Sequence, residues 1–439
     1  MPANSQGPTS PPIGVIACGG TMPGEVIDAI TRRGAGVHII AIAEEADAAF
    51  GSLPVVRLSW SKYGAALASL KRAGVRDVIM VGRMTRPRLR DARPDLGFLT
   101  AIPSVMRIMR AGGDDALLRA VVQLFEPHGF RVVGVADVAP DLLIGDGVLA
   151  GPEPTAADTA DIALGMAVID ALGPFDIGQA AVVAGGRVLA LEGAEGTDRT
   201  LARVARSWQR SGGDGRHRRG VLVKRPKPGQ DLRVDLPTIG PETVLGVAAA
   251  GLRGIAAESG LVIAAHRARL IENASNAEIF VTGVKPQVGH GVSARHAGRQ
   301  CADVRDQLAG AADAWRRDAI LGADVMATLQ DFDIDPVLVV RRQRVISIGV
   351  DEAPVAVMGR THASRRGLWR RRSGVAVLGA NAVIDAHVLD AISAIGLAAV
   401  VIFDRSGDPH ARALEALGNR ARQLGIALVA LNAGDGGRG

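Results

Sequence analysis

The residues best suited to chemistry lie in one loop, Lys224-Arg225-Pro226-Lys227-Pro228-Gly229-Gln230-Asp231-Leu232-Arg233-Val234-Asp235-Leu236-Pro237-Thr238-Ile239-Gly240. Three prolines and two glycines keep it extended, and it carries two lysines, two arginines and two aspartates. Val234, Leu236 and Ile239 are apolar, so the loop is expected to fold back on the protein and leave Asp235 partly desolvated near cations. A carboxylate in that setting suits metal ligation or activation of a water. Lys227 and Arg233 suit the charge of a phosphate. A solvated surface loop is the plainer reading of the same residues.

A second cluster, Glu192…Glu195-Gly196-Thr197-Asp198, lies between an apolar run and a helical pattern. Two readings stand side by side. Thr197 or Asp198 caps the helix, with acidic residues in the first turn where the helix dipole favours them. Alternatively, Gly196 lets backbone N–H groups approach a phosphate, and the carboxylates hold Mg2+, which prefers oxygen ligands. Gly19-Gly20 opens a helix near the N-terminus and suits a diphosphate or a nucleotide, or is simply a tight turn. Arg83, Thr85 and Arg86 follow a predicted strand end, where open α/β sheets bind ligands. Gly113-Asp114-Asp115 reads as a helix cap, and His290 and His296, with no carboxylate nearby, as solvated loop residues.

These residues need elements to hold them. Ile13–Cys18 is an apolar run, followed by the glycine turn, an amphipathic stretch from Glu25 to Arg33 and a second apolar run from Val37 to Ala43: strand, turn, helix, strand. Further strands are predicted at Val75–Val81 and Val132–Val138, and a helix at Asp114–Phe125. This places an N-terminal α/β domain at 12–145, after a disordered tail at 1–11 that lacks the basic start and apolar core of a signal peptide. Residues 145–157 read as a linker. A second α/β domain, 155–283, is predicted to hold a helix at Ala156–Leu172, a hairpin around Gly185-Gly186, a helix at Thr197–Trp208, a strand at Val221–Val223, a helix at Glu242–Ala250 and strand-like runs at Ile255 and Leu261–Ala264. Residues 284–317 read as a second linker.

The last part of the chain repeats the second domain. A shift of 157 positions places Asp161, Leu164, Gly165, Val168, Leu172, Phe175, Asp176, Ile177, Val182, Val183, Arg187 and Val188 on identical residues, from Asp318 to Val345. Residues 318–435 are therefore read as a diverged copy. The copy keeps core positions such as Gly165/Gly322 and Phe175/Phe332. Glu192 falls on Gly349, Thr197 on Pro354 and Asp198 on Val355, and the Asp235 loop has no counterpart; Glu195 persists as Glu352. A degenerate copy without chemistry is expected to serve structure, in dimerisation or in membrane docking, for which the arginines 365, 366 and 370–372 around Trp369 are suited.

Composition bounds the rest. The chain has 439 residues, enough for two or three domains, and 48% of them are apolar while only 3% are aromatic. The cores must then be built of Ala, Val, Leu and Ile. Two distant cysteines, Cys18 and Cys301, fit a reducing compartment with neither a disulfide framework nor a zinc site. No apolar run reaches the roughly 18 residues of a membrane span. A formal charge of +6 suits phosphorylated ligands or anionic membrane; nucleic acid is disfavoured by the scarcity of stacking aromatics.

Several pieces together resemble a known family. Gly19-Gly20 with Pro23, Arg86-Pro87, Pro103-Ser104, Gly113-Asp114-Asp115-Ala116-Leu117-Leu118-Arg119, Asp176-Ile177-Gly178-Gln179, Glu195-Gly196-Thr197-Asp198, Lys227-Pro228 and, most specifically, Arg233–Gly240 occur in the order seen in the UDP-2,3-diacylglucosamine pyrophosphatases of lipid A biosynthesis. The resemblance is to the two-domain type unrelated to calcineurin-like phosphoesterases and covers residues 12–283. It implies an α/β protein with a Rossmann-like βαβ domain, an α/β catalytic domain and then the repeat. It implies hydrolysis of UDP-2,3-diacylglucosamine to 2,3-diacylglucosamine 1-phosphate and UMP, with water attacking the sugar-side phosphorus. Asp235 would be catalytic. Gly19, Gly20, Arg86, Gln179, Gly196, Thr197, Lys227 and Arg233 would bind substrate between the two domains. A divalent metal, Mg2+ or alternatively Mn2+, would be held by Glu195, Asp198 and Asp235. The substrate's acyl chains imply a cytoplasmic enzyme peripheral to the inner membrane face. Arg83 stands where the family pattern leads one to expect Asn, and the residues after 283 are extra. Two other readings compete: a non-catalytic binder of lipid A precursors, against which the intact Asp235 loop argues, and a nucleotide-sugar oxidoreductase, against which the missing GxGxxG argues.

Overall fold

The computed structural model describes residues 10–46, 50–84, 94–98, 122–210, 218–285, 306–363, 372–404 and 409–432. Arg86, Pro103-Ser104, Gly113–Arg119, His290, His296, Cys301 and the arginines around Trp369 up to Arg371 lie outside them, so the expectations attached to those residues are not addressed by the structure. The chain forms two compact units: one from Met1–Leu149, Gly229–Pro241 and Glu258–Asn273, the other from Ala150–Pro228, Glu242–Ala257 and Ala274–Gly439.

The first unit carries a parallel five-stranded sheet made of β1 (Ile13–Ala17), β2 (Val37–Ile42), β3 (Val55–Leu58), β4 (Asp77–Val81) and β5 (Arg131–Val132), in the order β3-β2-β1-β4-β5. The apolar runs exist because both faces are covered. Val15 and Ala17 face one core with Val26, Ile27 and Ile30 of helix Met22–Arg32; Ile16 and Cys18 face the other with Leu67 and Leu70 of helix Tyr63–Arg72. Chain order reverses between β1 and β4, which makes their carboxyl ends the switch point where such sheets bind ligands. The predicted strand Val132–Val138 is corrected: the strand stops at Val132, and Val135–Val138 is a helical turn. Gly134 is extended, and the Asp137 carboxylate reaches back to its N–H at 2.8 Å, starting the turn.

The second unit contains a six-stranded sheet. Its strands are β6 (Gly147–Ala150), β7 (Ala180–Ala184), β8 (Arg187–Leu191), β9 (Val221–Lys224), β11 (Gly254–Glu258) and β13 (Phe280–Val284), in the order β6-β13-β11-β9-β7-β8; the short β10 (Thr238–Ile239) and β12 (Ile263–Ala264) pair with each other in the first unit. The expected linker at 145–157 thus supplies an edge strand, β6. The hairpin at Gly185-Gly186 is as anticipated. Both glycines have positive φ, and the Asp161 carboxylate takes both of their N–H groups, at 2.9 and 2.7 Å.

The residues after 312 build β14 (Val337–Arg341), β15 (Arg344–Gly349), β16 (Val375–Leu378), β17 (Ala399–Asp404) and β18 (Ala427–Asn432), preceded by helix Asp313–Gln330 and interleaved with helices Pro354–Ala363, Ala386–Ala394 and Pro409–Leu424. Read from the far edge, β18-β17-β16-β14-β15 has the order of β13-β11-β9-β7-β8. The hairpin and its neighbour pair antiparallel in both sheets, with a bulge at Val182/Val183 in one and Val339/Val340 in the other. Asp318 accepts the N–H groups of Arg342 and Gln343 as Asp161 does those of Gly185 and Gly186. A Cβ at Gly165 would come within 2.6 Å of Val223, and one at Gly322 within 2.5 Å of Val377, so each glycine lets its helix lie on its sheet.

Candidate functional site

In the first unit, Gly19 and Gly20 follow β1 at the switch point. Gly19 pairs with Arg83, each N–H bonding the other's carbonyl at 2.9 and 2.8 Å, so the ends of β1 and β4 are clipped together. A Cβ on Gly19 would meet the Glu45 carbonyl at 2.9 Å; Gly20, with φ +89°, faces open space. The turn therefore serves close packing at Gly19 and leaves room at Gly20. Thr21, next in line, places its hydroxyl 2.9 Å from His266 Nε2. Glu25, in the first turn of the following helix, accepts the His266 backbone N–H at 2.7 Å and lies 3.3 Å from its Nδ1. Neither Glu25 nor His266 was singled out from the sequence, and no signal offered itself, because 241 positions separate them.

The part of the loop that carries Asp235, Gly229–Pro241, belongs to the first unit, whereas its start up to Pro228 belongs to the second. As anticipated, it folds back: Ile239 is fully buried, Val234 packs against the core of Phe125, Phe130 and Val132, and Leu236 against the core on the opposite face of the sheet. Gly134, just beyond β5, lets it pass, since a Cβ there would lie 3.0 Å from Arg233 Cα. Asp235 is thus carried at the carboxyl end of the parallel sheet, between two anchored neighbours. Buried Gln230 donates its amide to the Asp235 carbonyl at 2.9 Å and also to its carboxylate. Arg233, expected on phosphate, is held by Asp231 at 2.7 and 2.9 Å and by Glu126 at 3.0 Å; the Asp231 hydrogen bonds, followed by its charge and Glu126, raise the guanidinium's pKa further. These bonds brace the loop.

In the second unit, Lys224 ends β9, buried. Its ammonium donates to the Thr197 hydroxyl at 2.9 Å, and that hydroxyl lies 2.9 Å from Glu192 Oε1. Glu192 Oε2 takes the Gln179 N–H at 3.0 Å. The β7–β9 register sets Ala180 opposite Lys224, which brings Gln179 to this end of the sheet, and Gly178, with φ +49°, is the residue that admits the Glu192 backbone. Gly196, φ +85°, has open space where a Cβ would be, at the start of helix Thr197–Arg210. Gln179, Gly196 and Thr197 are therefore brought together around Lys224 and Glu192, a cation and an anion at a helix N-terminus, where backbone N–H groups suit a phosphate. A lysine closing the apolar run Val221-Leu222-Val223 was the signal for Lys224.

Lys227 pairs with Asp176. Asp198 is exposed in the first helical turn. Glu195, expected as a metal ligand, is turned to Arg203 at 2.6 Å with both side chains almost fully buried. Among the described residues no group of three His, Cys, Asp or Glu side chains gathers as a metal cage. Mg2+ is commonly held by one or two carboxylates together with substrate phosphates. Asp235, whose carboxylate accepts the neutral amide of Gln230, suits that manner of binding; Glu195, ion-paired with the buried Arg203, does not.

Comparison with known proteins places this arrangement. Residues 12–142 match the LpxI N-terminal domain and residues 145–282 the LpxI C-terminal domain. The chain is 37% identical over 275 residues, 63% of its own length and 98% of the relative's, to the UDP-2,3-diacylglucosamine pyrophosphatase LpxI of Caulobacter vibrioides. With almost the whole of that relative covered and both domain models matched in order, the chain belongs to the LpxI family.

Proposed function

We propose that the protein hydrolyses UDP-2,3-diacylglucosamine to 2,3-diacylglucosamine 1-phosphate and UMP. The observation that carries this is the identity with the Caulobacter vibrioides pyrophosphatase over 98% of that protein; the match to the family's C-terminal domain, residues 145–282, includes the Asp235 loop. The geometry agrees with a charged diphosphate ligand: an open Gly20 turn at a sheet switch point, and Lys224 with Thr197 at a helix N-terminus.

Asp235 receives or orients the proton of the attacking water, and the bracing of its loop by Gln230, Val234 and Leu236 keeps it in place. The water oxygen bonds to the sugar-side phosphorus, the bridging P–O bond breaks, and the bridging oxygen leaves with UMP. Lys224 neutralises charge developing on the phosphoryl oxygens. Asp235 would hold a divalent cation together with the substrate phosphates, and such an ion would supply further charge neutralisation and make the attacking water more acidic. The acyl chains of the substrate lead us to place the reaction at a membrane face; among the described residues no helix is long and apolar enough to cross one.

The test is release of UMP by purified full-length protein with Mg2+, Mn2+ or chelator, alongside Asp235→Ala. The variant should bind the lipid-linked UDP-sugar and lose at least ~10²-fold in turnover. Wild-type turnover by the folded variant would sink the assignment. Binding without turnover in the wild type would instead favour a binder of lipid A precursors.

A further inference from the structure

We propose that the face formed by Glu195, Arg203, β8 and helix Ala156–Leu172 is a self-complementary docking face, whose partner is a second copy of the same α/β module, and that residues 313–432 hold that copy's place within one chain. This does not depend on the hydrolase reading.

Four side chains, two almost fully buried and two partly buried, carry the argument. Within the first module, Arg203 donates to Glu195 at 2.6 Å and to the Leu191 carbonyl at 2.7 Å. Within the second, Arg360 donates to Glu352 at 2.9 Å and to the Ile348 carbonyl at 2.6 Å. All four positions are related by the same shift of 157 residues. The two pairs then face each other reciprocally: Arg203 Nε lies 3.7 Å from Glu352, and Arg360 Nε lies 3.9 Å from Glu195. Residue i meeting j′ while j meets i′ is the mark of an isologous, two-fold interface.

The surroundings obey the same symmetry. Helix Ala156–Leu172 touches helix Asp313–Gln330, its own counterpart, and β8 touches β15, its own counterpart. One continuous apolar core runs through the contact, joining Ile162 and Leu172 to Trp315 and Ala319. What the copy has kept and lost also sorts by location. At the ligand end of the sheet Glu192, Thr197 and Lys224 are replaced by Gly349, Pro354 and Leu378. On the docking face Glu195 and Arg203 persist as Glu352 and Arg360. The copy has shed its polar ligand-end residues and retained its half of an interface.

The experiment reverses the charges of one half in the full-length chain. Glu352→Arg with Arg360→Glu keeps opposite charges within the second module but sets a cation against Arg203 and an anion against Glu195. The unaltered face of the first module should then find the same face of another chain, and the mass in solution should double relative to wild type. Adding Glu195→Arg and Arg203→Glu restores both cross contacts and should restore the wild-type mass. A folded double variant with wild-type mass and thermal midpoint would overturn the proposal. A second measurement needs no charge reversal. Arg187 and Asp351 form an exposed ion pair across the contact at 3.1 Å. Arg187→Cys with Asp351→Cys, treated with a short bis-maleimide, should cross-link within one chain. A cross-link between chains, or none within the chain, overturns the proposal.

Discussion

Glu25 accepts the backbone N–H of His266 at 2.7 Å and lies 3.3 Å from its ring Nδ1, while the opposite ring nitrogen lies 2.9 Å from the Thr21 hydroxyl. The hold matters because His266 sits at φ +48°, a left-handed conformation that a non-glycine residue keeps only when its surroundings impose it. The result is an oriented imidazole beside the open Gly20 turn. Removing an oriented proton-transfer or hydrogen-bonding group of this kind costs roughly 10²-fold in rate. His266→Ala should lower kcat/KM for UMP release accordingly, and Glu25→Gln should lower it less, since an amide oxygen still accepts the backbone N–H. Unchanged kinetics in a folded His266→Ala protein would show the ring to be a bystander.

Lys224→Met separates charge from packing. Methionine fills much the same space in the buried strand end, so stability should change by less than about 1.5 kcal/mol. Loss of the ammonium should lower turnover by something on the order of 10²-fold. Denaturant melts and UMP release read the two effects independently. An equal fall in both would mean that Lys224 is structural.

The direction of attack is readable from isotope. In water enriched in ¹⁸O, attack on the sugar-side phosphorus puts the label in 2,3-diacylglucosamine 1-phosphate and leaves UMP unlabelled. Label recovered in UMP would place the attack on the other phosphorus.

Cys18 lies buried just past the end of β1, and its thiol is pushed up from 9.0 to about 11, first by burial and then by the Glu45 charge. Two results are expected. Alkylation of Cys18 by iodoacetamide at mildly alkaline pH, followed by peptide mass mapping, should be far slower in the folded protein than after denaturation. Because the folded pKa lies above the unfolded one, the stability contributed by the protonated thiol is complete below pH 9.0 and declines as pH rises through about 11. Cys18→Ala should remove that alkaline decline; rapid labelling of the native protein would refute the burial.

Much of the fold was legible because its signals are local. The runs Ile13–Ala17 and Val37–Ile42, covered on both faces, had to be largely apolar, and the Gly185-Gly186 turn had to separate two strands. The repeat was legible because a fixed shift preserves residues such as Gly165/Gly322, where any side chain would strike the sheet. Val135–Val138 misled because three apolar residues around one aspartate do not distinguish a strand from one turn of helix, and the deciding bond, from the Gly134 N–H to the Asp137 carboxylate, is not visible in a hydropathy pattern. Residues 145–157 misled because Gly and Pro at both ends masked the short edge strand between them.

By itself the sequence determined the α/β elements, the Asp235 loop and the burial of that loop's apolar residues, because each follows from residue types at short spacing, and it indicated the family through the resemblance of its ordered motifs. Tertiary structure alone decided which side chains meet. Glu195 lies two residues from Thr197, yet it answers to Arg203 and, beyond it, to Arg360 on the second copy, while Thr197 answers to Lys224. His266 reaches Glu25 across most of two domains' worth of chain. Spacing along the chain sets which elements form; partners are set by strand register and helix placement, which bring residues together only once distant segments have packed.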